Sequence, residues 1–154
     1  MEDLLGKIYS LFDSLYGKPL SEYLWGYNCD SQDYSGDLIY NQLGTIAIIT
    51  AFIVPPVYYY LWNPVRRQQL KYWLLLGGTA LVNLLIAYFM ISSDFDNGLI
   101  GDCLMYAEGG EPIIGETNIV MFGIVNALFT AVLFFVFSVA LFKWGSKTVK
   151  YYPF

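Results

Sequence analysis

Three stretches of the chain carry no acidic, basic or histidine side chain: Ile39–Trp62, Tyr72–Ser93 and Thr117–Phe142. They hold 24, 22 and 26 residues. A helix rises about 1.5 Å per residue, so roughly 20 apolar residues cross the ~30 Å hydrocarbon core of a bilayer. Each stretch is long enough to span with some tilt. A core helix of a soluble domain keeps charge on at least one face, and these three have it on none. The pattern predicts an all-α integral membrane protein with three transmembrane helices.

Ahead of the spans the pattern changes period. Leu4, Leu5, Ile8, Leu11, Phe12, Leu15 and Tyr16 recur at helical spacing, with Glu2, Lys7, Ser10, Asp13 and Ser14 on the other face. An N-terminal amphipathic helix is therefore expected over residues 3–16, ended by Gly17 and Pro19, with a short helix over Pro19–Trp25 after it. Two readings of the amphipathic helix stand: it lies in the outer-leaflet interface, or it docks on a partner subunit. Gly26–Gly36 reads as a loop. Leu99–Ala107 reads as a short helix closed by Gly109–Gly110. Residues 1–36 thus form an extracytoplasmic N-terminal region. Residues 37–154 form the three-helix transmembrane domain, with its outer loop over 94–116.

Composition agrees with the pattern. Hydrophobic residues make up 56% of the 154 positions and charged residues only 14%, against about 25% charged in a typical soluble domain. The distribution of charge then orients the spans. All 13 acidic side chains fall before the first span or between the second and third. Arg66, Arg67 and Lys71 follow the first span, and Lys143, Lys147 and Lys150 follow the third, with no acid among them. Basic residues stay on the cytoplasmic side, so the N-terminus faces outward and the C-terminus inward. A multi-pass protein of the bacterial inner membrane is expected. The acidic N-terminus does not resemble a cleavable signal, so Met1 is expected to be retained. The low pI of about 4.4 says little about partners, because acid and base lie on opposite faces. The few basic residues give no nucleic-acid footprint.

Orientation places Cys29 and Cys103, the chain's 2 cysteines, in the same outer compartment, where disulfides persist. A Cys29–Cys103 bridge is favoured over two unpaired thiols. It would tie the N-terminal region to the loop between the second and third spans.

Within the spans, Pro55–Pro56 removes backbone donors and is expected to kink the first helix near its cytoplasmic end. Tyr40, Tyr58, Tyr59, Tyr60, Trp62, Tyr72, Trp73 and Tyr88 fall near the predicted interfaces, as do Trp144, Tyr151 and Tyr152, in the manner of an aromatic belt. Small residues recur on one face of each span: Gly44, Ala47 and Ala51 on the first, Ala80, Asn83 and Ala87 on the second with Gly77 and Gly78 nearby, and Gly123, Asn126, Ala127 and Ala131 on the third. Small residues let helices approach closely, and asparagines hydrogen-bond across helices in lipid. These positions are expected to be the helix-packing surfaces.

Little else in the chain carries chemistry. There is no histidine, and the spans hold no carboxylate or amine for catalysis or ion coupling. Asp94, Asp96 and Asp102 invite a calcium reading, but counting from Asp94 puts glycine at position 5 and leucine at position 6, and the glutamate at position 12 is missing. No catalytic residue, metal or cofactor is expected. The first functional reading is a non-enzymatic anchor or assembly subunit of a larger membrane complex. Its partners would be the lipid bilayer and either a second copy or other subunits, held through the outer N-terminal region and the small-residue faces. The second is a homo-oligomeric pore, with Asn83, Asn126, Thr79 and Thr130 along its lining. Three spans with the N-terminus out and the C-terminus in resemble class I holins in topology alone. Holins tend to be shorter, with a more strongly charged C-terminal tail.

Overall fold

The computed structural model describes residues 2–29, 31–34, 38–62, 68–106 and 112–142. The turn at Asn63–Pro64 with Arg66 and Arg67 lies outside the described residues, as do Asp30, Asp37, Glu108, Glu111, Gly109–Gly110 and the tail that carries Lys143, Trp144, Lys147, Lys150, Tyr151 and Tyr152.

The chain is mostly helical. Helices α1 (Glu2–Ser10), α2 (Asp13–Tyr16) and α3 (Lys18–Leu24) precede a two-stranded antiparallel hairpin, β1 (Tyr27–Asn28) with β2 (Asp33–Tyr34). Next come α4 (Ile39–Pro56), α5 (Gln68–Asp96), the short α6 (Asp102–Met105) and α7 (Glu116–Phe137). Helix α4 runs on as π-helix over Val57–Trp62, and α7 does so over Ser138–Phe142. Three of these helices, Ile39–Leu61, Gln69–Asp96 and Glu116–Leu141, are long and apolar enough to cross a membrane. Three such helices are compatible with a multi-pass membrane protein. The second runs past its expected ends because Gln68–Lys71 and Asp94–Asp96, though polar, extend the same helix by about a turn on each side.

Two compact units share the chain: Met1–Gly44 with Leu84–Val125 (unit 1), and Thr45–Asn83 with Asn126–Phe154 (unit 2).

Unit 1 is built around tyrosines. Tyr9, Tyr16 and Tyr40 are buried with Phe122. Tyr9 stacks on Tyr40 with centroids 5.3 Å apart, and Tyr16 meets Phe122 edge-on at 5.2 Å. The Tyr16 hydroxyl donates to the Tyr9 carbonyl at 2.9 Å and lies 2.7 Å from the Tyr40 hydroxyl, which donates to Ser21 Oγ at 2.9 Å. A buried phenol needs such partners, because an unpaired polar group away from water costs about 1–3 kcal/mol. Asn118, in the first turn of α7, donates to the Tyr16 carbonyl at 2.8 Å and accepts from the Gly115 amide. Gly6 lies against the Trp25 ring and Gly44 against the Leu5 side chain, and a Cβ at either would collide.

This packing corrects the single amphipathic helix expected over residues 3–16. The segment is two helices separated at Leu11–Phe12, and its inward stripe runs through Leu5, Tyr9 and Tyr16. Leu4, Leu11, Phe12 and Leu15 are exposed. Within α1 the buried side is turned by roughly 100° towards Gly6 and Tyr9, while Leu5 and Tyr16 of the expected apolar face do lie inward. Ring stacking and the hydroxyl network draw the tyrosines inward and leave leucines outside.

Unit 2 gathers Tyr58, Tyr59, Tyr72 and Phe134 around Ala51, with Val54, Leu133 and Phe137 packed on the cluster. Its π-helical stretch after Pro56 has a local cause. Neither Pro55 nor Pro56 carries an amide proton, so the carbonyls of Ala51 and Phe52 lose their usual helical donors. Both prolines stay within α4, and the helix widens to π winding at Val57. The aromatic-belt reading needs correcting for Tyr40, Tyr58, Tyr59 and Tyr72, which are buried. Of these, Tyr59 pairs its hydroxyl with Ser138 Oγ at 2.8 Å. Tyr60 and Trp73 are exposed, as a belt requires.

Candidate functional site, a disulfide-walled cavity and a polar ladder

Cys29 follows the first strand of the hairpin and Cys103 lies in α6, and the two are disulfide-bonded with their α-carbons 6.0 Å apart. The sulfur of Cys29 can sit there because the neighbouring residue of the second segment is Gly101, whose missing Cβ leaves the room. Helix α3 packs on both α6 and the hairpin, so the bridge closes a small folded head within unit 1.

Beside the bridge lies a cavity of about 720 Å³. Ile39 and Ile100, both buried, lie in its floor, and the exposed Leu99 and Asp102 are at its rim. Asp94, near the end of α5, reaches it half-buried and accepts a hydrogen bond from the Tyr23 hydroxyl at 3.0 Å. Burial, and then that carboxylate, push the Tyr23 phenol well above its ordinary pKa. Tyr23 is thus held as a neutral donor, and Asp94 keeps the rest of its lone pairs. Among the described residues the lining carries two carboxylates, Asp94 and Asp102, and no lysine or arginine. Among the described residues no group of three metal-ligating side chains occurs.

The packing residues expected from the sequence fall in both units. In unit 1, Gly44, Ala87 and Gly123 are buried, with Gly123 against Leu84. In unit 2, Ala47, Ala51, Asn83 and Asn126 are buried, while Ala80, Ala127 and Ala131 are half-buried; of the two kink prolines, Pro55 is buried and Pro56 half-buried. The asparagines form a ladder. Asn83 Nδ2 donates to Thr50 Oγ1 at 2.9 Å and to the Thr79 carbonyl at 3.0 Å. Asn126 Nδ2 donates to the Asn83 carbonyl at 3.0 Å, and the Thr130 hydroxyl donates to the Asn126 carbonyl at 2.8 Å. Thr50, Asn83 and Asn126 lie on α4, α5 and α7, so the ladder ties three helices together. Asn83 Oδ1 is buried without a hydrogen-bond partner. Turning the amide over would not help, since the oxygen would then face the Thr79 carbonyl.

Gly77 and Gly78 behave differently. Both are exposed in the interior of α5, and a Cβ added to either would meet open space.

Sequence reasoning missed the cavity. Tyr23, Gly101 and Ile100 carry no motif, and only the cysteine pairing pointed to the two segments that enclose it. Family models, curated proteins and solved structures were compared with the chain, and none matches.

Proposed function

We propose that the chain is a non-enzymatic, multi-pass membrane subunit that anchors or organises a larger membrane complex. The observation that carries this reading is the Gly77–Gly78 pair. Glycine inside a helix costs about 1 kcal/mol relative to alanine. Where a glycine packs against a neighbour, as Gly123 does against Leu84, that cost has an internal reason. At Gly77 and Gly78 no described neighbour supplies one. A flat glycine surface facing outward on a membrane helix suits close approach by another helix. The partner is either a second copy or a different subunit. The asymmetry of charge supports an outward N-terminus and an inward C-terminus, and we take the membrane to be a bacterial inner membrane.

The experiment is purification in mild detergent from the native membrane, with mass spectrometry of the chains that come along. Wild-type protein is expected to retain its partners, or to run as a multiple of itself. The double variant Gly77→Leu, Gly78→Leu is expected to lose them while its helical circular dichroism is kept, because leucine favours the helix. Wild-type chain recovered alone as a monomer overturns the reading.

A homo-oligomeric pore is the rival reading, and it has no comparable support. The four groups that would line it, Asn83, Asn126, Thr79 and Thr130, are buried in unit 2 and hydrogen-bonded there. Liposomes holding the pure chain are expected to show no ion flux. A flux abolished by Asn126→Leu would establish the pore instead.

A further inference from the structure

We propose that the cavity of unit 1 binds an organic cation, a primary ammonium or guanidinium on a short apolar stem. Its size of about 720 Å³ falls within the roughly 300–1,000 Å³ of small-molecule sites. The lining selects by charge. Asp94 and Asp102 supply two negative charges with no base among the described lining residues, so an anion is repelled and a cation is drawn in.

The rest of the lining distinguishes between cations. A calcium ion asks for six to eight oxygen ligands, roughly, and magnesium for a near-octahedral set. Here one of the two carboxylates already accepts from Tyr23, and Ile39, Met90, Leu99 and Ile100 supply the apolar part of a lining that also holds Asn28 and Gln42. Aliphatic walls suit the methylene stem of an organic cation, with the charged head at the carboxylates. Tyr23 and Tyr27 also line the cavity, and an aromatic face attracts an ammonium or guanidinium. The Asp94 carboxylate is held in place for this by the Tyr23 hydroxyl. The Cys29–Cys103 bridge is part of the wall, so the site exists only in the oxidised chain.

The same chemistry has two sources, a free amine or the lysine or arginine side chain of a neighbouring protein segment. The inference goes beyond the assembly reading and is measured on the purified chain alone, so either can fail without the other.

The test is calorimetric titration of the detergent-purified chain at low salt with butylammonium and butylguanidinium. Butanol and butyrate serve as the neutral and anionic controls. Both cations are expected to bind at least tenfold more tightly than either control, and more weakly as salt rises. Asp94→Asn and Asp102→Asn should each weaken binding about tenfold. Asp96→Asn removes the same charge outside the lining and should leave it within twofold. Asp94→Asn keeps an acceptor for Tyr23, and an unchanged circular dichroism spectrum with the disulfide intact shows that the head is still folded. Reduction of the bridge should abolish binding.

Capped Ala-Lys-Ala and Ala-Arg-Ala separate the sources. Tripeptides that bind tenfold more tightly than the butyl cations identify a protein side chain, and tripeptides that bind more weakly identify a free amine. Cation binding no tighter than that of butanol, or binding untouched in the Asp94→Asn, Asp102→Asn double variant, overturns the proposal.

Discussion

Unit 1 and unit 2 both bury polar groups, and they satisfy them in different ways. In unit 1 the buried hydroxyls of Tyr16, Tyr40 and Ser21 join short helices to the start of α4. A disulfide then closes the chain between the hairpin and α6. In unit 2 amide and hydroxyl side chains link the long helices directly, through Thr50, Asn83 and Asn126. The first arrangement depends on tertiary closure of segments distant in sequence, since Cys29 and Cys103 are separated by 74 positions. The second depends on helices that form along their own length and need only be held in register. Loss of a link should therefore cost more in unit 1 than in unit 2.

The largest difference is expected on breaking the bridge. Closing a loop of this length restricts the unfolded chain by about 4 kcal/mol in the chain-entropy argument. Cys29→Ser with Cys103→Ser is expected to speed amide exchange through α1, α2, α3 and α6. Exchange of the α5 and α7 amides near Asn83 and Asn126 should change little. Equal acceleration in both units would show that the bridge supports the chain as a whole and would remove the contrast.

Alkaline pH gives the next effect. Burial raises the Tyr9 and Tyr16 phenols above their ordinary value near 10, and burial with the Asp94 carboxylate raises Tyr23. Their unfolded forms lose the proton first, so the folded head is favoured below about pH 10 and loses that stability as pH climbs from the unfolded pKa towards the folded ones. Tyrosinate absorbance should rise late and together with loss of the head's amide protection. Early ionisation of all the tyrosines in a still-protected head would break the prediction.

The three spans could be read from the sequence because charge-free runs of that length have few other uses. Cys29 and Cys103 could be paired because orientation put both on one side. The contact faces were harder. Asn83 and Asn126 stood out as amides in apolar helices, and they do link helices. The turn of α1's buried side and the exposure of Leu11 and Leu15 were hidden, because Leu4, Leu11 and Leu15 look like core residues to any argument that assumes water outside. Tyr40, Tyr58, Tyr59 and Tyr72 looked interfacial for the complementary reason: a phenol at a span end belongs at the headgroups unless a hydroxyl partner waits inside. Tyr16 and Ser21 are such partners for Tyr40, and Ser138 for Tyr59, and only tertiary contacts bring them into reach. The cavity was hidden entirely, since its lining comes from α3, the hairpin and the ends of α4 and α5 as well as α6.

A smaller effect tests unit 2 by itself. Asn126→Leu removes the amide donor to the Asn83 carbonyl, and interhelical hydrogen bonds in lipid average about 0.6 kcal/mol, with 1–2 kcal/mol at the upper end. Asn83→Leu keeps that backbone carbonyl and removes the bonds to Thr50 and the Thr79 carbonyl, but it also removes the unpaired Oδ1, whose burial is itself unfavourable. Asn83→Leu is therefore expected to destabilise less than Asn126→Leu, measured by thermal unfolding in one detergent. The reverse order would mean that Oδ1 is satisfied by a bound water, which the leucine would expel.

The smallest effect is expected at Leu11, which is 76% exposed. It makes no part of the buried stripe through Tyr9 and Tyr16, so Leu11→Ser should shift stability in detergent by no more than about 0.5 kcal/mol. The same substitution separates the two roles left open for the N-terminal helices. Leu5 on Gly44 and Tyr9 on Tyr40 set α1 beside the first turns of α4, and if that helix spans the bilayer an outward leucine there meets acyl chains. A nitroxide at Leu11→Cys, with the native cysteines bridged, should then be relaxed by oxygen more than by a water-soluble nickel chelate. Protection from both reagents in the native membrane, lost once partners are stripped away, would place a protein there instead of lipid. Partner contacts on the head, beside those proposed at Gly77 and Gly78, would then make the two units alike at their surfaces.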